Sequence, residues 1–235
     1  VIGILREQAR RMQSRRELKK HFPNVSFGDG VQVMGLATVK IGSGSCIGDS
    51  VWINDCVRDS RIRLTIGASV LVGRRGVIST AGSLSVGDFC ILAPDVIIAD
   101  ADHVYSNPLL PYLQQGAAAG RSIIVEENCW FGMQAKVLGS LTIGRGSVVG
   151  AGSLVKQSVP PFAVAVGSPS RVVRLYDFET GQWRSIRDEQ ELASALEARS
   201  RCGLMPAREP YRELLHTNAG FTTLDPILAG AEMHL

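Results

Sequence analysis

The chain has 235 residues, 45% of them hydrophobic and 20% charged, with a formal net charge of +3. That composition buries a core and excludes a disordered chain, the apolar runs fall short of a bilayer crossing, and the small charge gives no reason to expect nucleic acid. Five cysteines at no zinc-like spacing argue against a disulfide framework or a structural metal. No signal-peptide pattern heads the sequence, which leads us to expect a soluble, cytoplasmic protein without stable membrane insertion. The 25 glycines beside only 6% aromatics suit tight, repeated turns better than a helical bundle.

Residues 4–20 read as a helix, with Ile4, Leu5, Met12 and Leu18 on a thin apolar face among Lys and Arg. End-capping or subunit packing explains such a helix better than attachment to a membrane surface. We take 1–26 as an N-terminal helical segment.

From Ile41 the chain steps in sixes: Ile41, Ile47, Ile53; Ile66, Val72, Ile78; Val86, Leu92, Ile98; Val125, Phe131, Val137; Ile143, Val149, Val155. Glycine often follows, as at Gly42, Gly48, Gly73, Gly132 and Gly144. Three hexads complete one triangular coil, with the aliphatic residue expected to point inward at each corner and a small residue beside it. Strand alternation with period two leaves the glycines unexplained. A weaker coil precedes, from Phe27 and Val33, with a register slip before Ile41. Loops leave the stack at 59–65, at 84–85 and, at greatest length, over 103–122. A loop that long in a regular solenoid is a candidate for function.

Pro160 and Pro161 end the regular coils. A helical pattern is clearest at 187–200, and an irregular tail follows through Pro206, Pro210 and Pro226. We read 27–176 as the coil domain and 177–235 as a partly helical extension to which no chemistry is assigned. Cys90 and Cys129 fall on the small-residue position, so packing explains them better than nucleophilic attack.

Four stretches sharpen this pattern: Asp100-Ala101-Asp102-His103; Glu127-Asn128-Cys129-Trp130-Phe131-Gly132; Gly150-Ala151-Gly152-Ser153 running on to Lys156; and Gly167-Ser168-Pro169-Ser170-Arg171 running on to Arg174. Together with Tyr176, Asp177 and Trp183, they resemble the hexapeptide-repeat acyltransferases, in particular the polysaccharide-type sugar O-acetyltransferases. The chain departs from that pattern at Ala101, where the family has a first His, at Met133, and at Leu138-Gly139-Ser140 in place of Pro-Gly.

The resemblance implies a mainly β fold, a left-handed parallel β-helix with an extruded loop, an N-terminal helix and a small helical C-terminal extension. Its handedness comes from the resemblance alone, since parallel crossovers are otherwise right-handed. The implied activity is acetyl transfer from acetyl-CoA to a sugar hydroxyl, without a metal, at sites between the subunits of a homotrimer.

Acyl transfer to an alcohol needs a base. His21, His216 and His234 lie outside the coils, so His103 is the base candidate, with Asp100 or Asp102 to orient its ring. The resemblance places the coenzyme on Trp130, Ala151, Lys156, Arg171 and Arg174, the arginines meeting phosphates. Tyr105, Asn107 and Gln115, on the long loop, can bond acceptor hydroxyls. Two other classes compete with this reading: acetyl transfer to an amine, on a nucleotide-linked amino sugar or an antibiotic, and a non-catalytic or metal-using β-helix. The Trp183 region favours the hydroxyl. A metal-using enzyme of this fold needs three histidines, and the coils supply one.

Overall fold

The computed structural model describes residues 15–57, 59–118 and 120–219. Short strands repeat in groups of three along the chain, each group making one coil. The first coil holds β1 (Ser26–Phe27), β2 (Gln32–Met34) and β3 (Val39–Ile41). Next come β4 (Cys46–Ile47), β5 (Trp52–Asp55) and β6 (Leu64–Ile66), then β7 (Leu71–Val72), β8 (Val77–Thr80) and β9 (Ser83–Val86). After these run β10 (Ile91–Leu92), β11 (Ile97–Ala99) and β12 (Ser122–Val125), then β13 (Trp130–Phe131), β14 (Lys136–Leu138) and β15 (Leu141–Ile143). The last coil has β16 (Val148–Val149) and β17 (Leu154–Val155), followed by β18 (Ala163–Gly167), β19 (Ser170–Asp177) and β20 (Gln182–Ser185).

Three parallel sheets form the walls of a left-handed parallel β-helix. Sheet A runs β1-β4-β7-β10-β13-β16-β18 and continues antiparallel into β19 and β20. Sheet B runs from β2 to β17, and sheet C from β3 to β15.

The register follows the hexads. Phe27, Ile47, Val72, Leu92, Phe131 and Val149 stack in sheet A, Val33, Ile53, Ile78, Ile98, Val137 and Val155 in sheet B, and Ile41, Ile66, Val86, Val125 and Ile143 in sheet C. All are buried except Ile41, which is half-buried. Each such aliphatic side chain contributes roughly 1.5–3 kcal/mol relative to exposure. Cys90 and Cys129 sit inside the corners, and burial beside Cys90 holds the Cys129 thiol well above its ordinary range, which keeps it unreactive. Glycine after the hexad apolar residue answers a stacking need. A Cβ on Gly132 would lie 2.5 Å from the Ala151 nitrogen on the next coil.

The early register slip is a 3₁₀ turn at Leu36–Thr38 between β2 and β3. Three loop boundaries differ from the sequence reading. Leu64 and Thr65 belong to β6, so the first excursion covers 56–63. Leu84 and Ser85 lie within β9, and the extra residues between Ile78 and Val86 are taken up by a bend at Ala81 and Gly82. The long loop ends one residue earlier than expected, because Ser122 opens β12.

Both ends of the stack are covered. At the top, α1 (Arg15–His21) buries Leu18, and Phe22 and Val25 follow it into the core. The other apolar residues of that expected helix, Ile4, Leu5 and Met12, lie outside the described residues. The short helix α2 (Tyr112–Gln115) lies in the long loop, and at the bottom α3 (Glu189–Cys202) lays Leu192, Ala195 and Leu196 on the core. Asp188 caps α3 by accepting a bond from the Glu191 amide, and Gly203 ends it in a left-handed conformation (φ 69°).

The expected boundary at 176–177 falls inside the β19–β20 hairpin, so the coil domain and extension share a sheet. The tail is not irregular throughout. Helix α4 (Arg208–Asn218) tolerates Pro210 in its first turn, where the proline costs no helical hydrogen bond.

Candidate functional site

The long loop leaves sheet B after Ala99 and contains α2 (Tyr112–Gln115). Its two limbs pair at the base: Ala118 donates to the Asp102 carbonyl (2.9 Å), Val104 donates to the Gly116 carbonyl (3.0 Å), and His103 faces Ala117 between them. His103 therefore has a fixed backbone and an exposed ring. Among the described residues its ring nitrogens have no hydrogen-bond partner.

The two aspartates beside it do different work. Asp100 is 1% exposed and accepts bonds from the Thr80 hydroxyl (2.6 Å) and from the backbone amides of Ala81 (2.7 Å) and Ser83 (3.1 Å). It thus fastens the bend between β8 and β9, and the expectation that it orients the His103 ring is not met. Asp102 accepts from the His103 backbone amide (2.9 Å) and from Arg121 (3.0 Å). These contacts, the backbone bond first, hold its carboxyl below the usual range, and Arg121 and His103 add favourable charge. Asp102 holds the histidine through its backbone amide and makes no bond to the ring.

Of the loop residues expected to bond an acceptor, Gln115 is engaged within the loop. Its side-chain oxygen accepts from the Asn107 amide (3.0 Å), and its nitrogen donates to the carbonyls of Asn107 (2.8 Å) and Leu110 (3.1 Å). Asn107 in turn accepts from the Leu109 amide (3.0 Å). These bonds order the loop around both side chains. Tyr105 stands exposed.

Three of the expected coenzyme residues come together on the outer face of sheet A. Trp130 is 53% exposed and pairs with Val148, Val148 with Val164, and Val164 with Arg174. Cross-strand partners share a face, so Trp130 and Arg174 stand in one outward row, roughly 14 Å apart at three strand spacings. Arg171 pairs with Val166, two residues along from Val164. Residues three apart on a regular strand point to opposite faces. The register shift in this hairpin leaves Val173 unpaired, so Arg171 and Arg174 both face outward while Val172 and Leu175 face the core. Ile91, beside Trp130 in register, extends the apolar part of the strip.

The other two residues lie apart from that row. Ala151 occupies the turn between β16 and β17, at the corner of sheets A and B, with its amide donating to nothing among the described residues. Lys156 directly follows β17, exposed at the edge of sheet B beside Leu138 and on the His103 side of the corner. Arg171, Arg174 and Trp130 thus share a face that Lys156 does not.

The Glu127–Gly132 stretch divides between two tasks. Trp130 points outward, whereas Glu127 and Asn128 hold α4. Glu127 is 2% exposed and receives Arg208 at 2.8 and 3.0 Å, and Asn128 donates to the Tyr211 hydroxyl at 2.6 Å. Arg212 and His216 reach Asp88 one coil up, at 3.2 and 3.5 Å. Sequence reading missed this clamp, although the paired spacing of Arg208, Arg212 and His216 on one helical face was a usable signal. Among the described residues no group of three or more His, Cys, Asp or Glu side chains is placed to hold a metal, and no helix is long and apolar enough to cross a membrane.

Residues 122–157 match the family described as bacterial transferase hexapeptide (six repeats). A probable acetyltransferase of Mycobacterium tuberculosis is 32% identical over 176 residues, covering 73% of this chain and 56% of the relative. The galactoside O-acetyltransferase of Escherichia coli is 28% identical over 134 residues, 54% of this chain and 62% of the relative. The chain thus spans only a little over half the length of these curated relatives. Among solved structures, the N-acyltransferase AntD from Bacillus cereus, in complex with dTDP and 3-hydroxybutyryl-CoA, superposes with a TM-score of 0.56 at 20% identity, covering 82% of this chain and 98% of that one. These matches bear out the resemblance to hexapeptide-repeat acyltransferases and the β-helix fold.

Proposed function

We propose that this protein is an acetyl-CoA-dependent O-acetyltransferase acting on a sugar hydroxyl, in surface polysaccharide or other glycan biosynthesis, at sites between the subunits of a homotrimer. The observation that carries this reading is the outward row from Trp130 to Arg174, with Arg171 beside it. A coenzyme with a slender amide-bearing arm and a phosphorylated head matches a strip that is apolar at one end and doubly cationic at the other. Guanidinium forks suit phosphate oxygens. The free amide of Ala151 at the adjacent corner suits an amide of the arm. The curated names of the M. tuberculosis and E. coli relatives point to the same donor chemistry.

His103 supplies the base. Its neutral imidazole accepts the proton of the attacking hydroxyl as the new C–O bond forms at the acetyl carbonyl, and the same proton passes to the sulfur as the thioester C–S bond breaks. No acyl-enzyme is needed, in keeping with the buried and unreactive state of Cys129. Within one chain His103 is open to solvent on a loop neck, and the coenzyme strip lies on another wall. A neighbouring copy closes the groove between them and excludes water.

Acetyl-CoA turnover across matched hydroxylated and aminated sugars tests the reaction. Transfer to hydroxyls supports it, and transfer confined to amines overturns it in favour of the N-acetyltransferase reading. A fully active monomer in sedimentation would remove the shared site.

A further inference from the structure

Two polar side chains sit where the outer face of sheet B should be bare. Asn54 of β5 and Ser79 of β8 pair in register, with Ala99 of β11 next in the row. Their neighbours Ile53 and Ile78 point into the core, so Asn54 and Ser79 point out, yet each is only 6% exposed. Asn54 directs its amide nitrogen at the Ser79 hydroxyl (3.2 Å) and at the sulfur of the exposed Cys56 (3.1 Å), and the sulfur lies 3.7 Å from that hydroxyl. The Asn54 amide oxygen is buried without a hydrogen-bond partner. Turning the amide over only exchanges which of its two polar atoms is left alone. A buried amide oxygen without a donor costs roughly 1–3 kcal/mol, a cost that fold stability alone gives no reason to retain.

We propose that Asn54, Ser79 and Cys56 form a subsite for a hydroxyl of the acceptor, on the side of the stack from which the His103 loop departs. This rests on the acceptor being polyhydroxylated, as proposed above. The chemistry of the cluster defines its ligand. Asn54 offers an acceptor oxygen and Ser79 an O–H donor, the complement of a hydroxyl, which both donates and accepts. Among the described residues no cation bonds to the cluster. Cys56 is the exposed member and the entrance, and a ligand that displaces the sulfur meets the amide edge of Asn54 that the sulfur held, the oxygen facing it once the amide turns over. The place fits the base: Ser79 and Ala99 are adjacent across one strand spacing, and His103 follows Ala99 by four residues, a reach of at most about 14 Å. The hydroxyl held here is thus a second one on the acceptor, which fixes the orientation in which the reacting hydroxyl meets His103.

The test is alkylation of Cys56 by iodoacetamide, followed by mass spectrometry of its peptide, on the intact protein. Cys202, which is partly exposed at the far end of the stack, is the internal standard. Saturating methyl glucoside, galactoside and mannoside are the probes, with coenzyme A alone as a control. We expect at least one glycoside to slow Cys56 labelling fivefold or more while Cys202 is unchanged and coenzyme A has no effect. Ser79→Ala should then raise KM for that glycoside about tenfold and leave KM for acetyl-CoA as it was. Cys56 labelling that no glycoside slows overturns the subsite, as does an unchanged glycoside KM in the variant. Labelling is read without acetyl transfer, so a protein that is protected by sugar but transfers nothing would overturn the proposed reaction and keep the subsite.

Discussion

Thr80 donates its hydroxyl to Asp100 at 2.6 Å, and both side chains are enclosed by the stack. This pair, with the Ala81 and Ser83 amides on the same carboxylate, closes the bend that carries β8 into β9. Asp100→Ala leaves the buried Thr80 hydroxyl and Ala81 amide, and the more exposed Ser83 amide, without their acceptor, a loss of roughly 3 kcal/mol. For a chain of this size that lowers Tm by about 6–12 °C. Calorimetry beside steady-state kinetics reads the result. An unchanged Tm with collapsed turnover would return Asp100 to the catalytic group.

The difference between Asp100 and the hexads marks what a sequence displays. Ile41, Ile47 and their successors are fixed by a local rule, one inward residue per side, so their register was readable without any distant contact. The role of Asp100 depends on where Thr80 and Ser83 stand one coil earlier, and the grip of Glu127 on Arg208 joins residues 81 apart in sequence. Neither relation leaves a periodic trace. Pro210 misled in another way, because a proline that ends a helix and a proline that opens one look alike until the first turn is located. At the proposed coenzyme strip, the motif supplied Arg171 and Arg174, but the skip of Val173 in the β18–β19 ladder, which turns both to one face, is a property of the hairpin register.

That shared face makes the two arginines testable as a pair. Each forms charge-assisted contacts in the proposed complex, of the order of 1.5–3 kcal/mol. Arg171→Ala and Arg174→Ala should each raise KM for acetyl-CoA by about tenfold or more, with kcat little changed. The effect should shrink with added salt, since both guanidinium groups are exposed. A drop in kcat at unchanged KM for either variant removes that residue from the coenzyme strip.

Away from the site, Glu191 carries a strongly lowered carboxyl. The Arg187 backbone amide and side chain, with Arg184 behind them, hold its carboxyl down to about 2. A depressed folded-state value stabilises the fold above the unfolded value, and that contribution fades as pH falls through the folded one. The window is therefore from about pH 4.5 down to about 2. NMR titration of the side-chain carboxyl should give a midpoint near 2, and Arg187→Ala should move it toward 4.5. The group is exposed, so solvent keeps the effect on total stability small. A midpoint near 4.5 in the unaltered protein would show that the start of α3 is not held this way.

His103 gives the most direct test of the chemistry. Its backbone is fixed by the Asp102–Ala118 and Val104–Gly116 pairing, which a side-chain substitution leaves in place. Its ring bonds to no described residue, so His103→Ala should melt within a degree or two of the unaltered protein. If the ring is the base, kcat falls by about 10² to 10⁴, and KM for acetyl-CoA stays where it was because the coenzyme is held at the Trp130 and Arg174 row. A packing role predicts instead a lowered Tm with near-normal turnover in whatever stays folded, so melting curves beside steady-state kinetics separate the two. Asp102→Asn offers the intermediate case, since it weakens the bond to the His103 amide and the contact with Arg121 without removing the ring. Its kcat should fall less than that of His103→Ala. Full turnover by stably folded His103→Ala would dismiss the imidazole as the base and leave the β-helix as described.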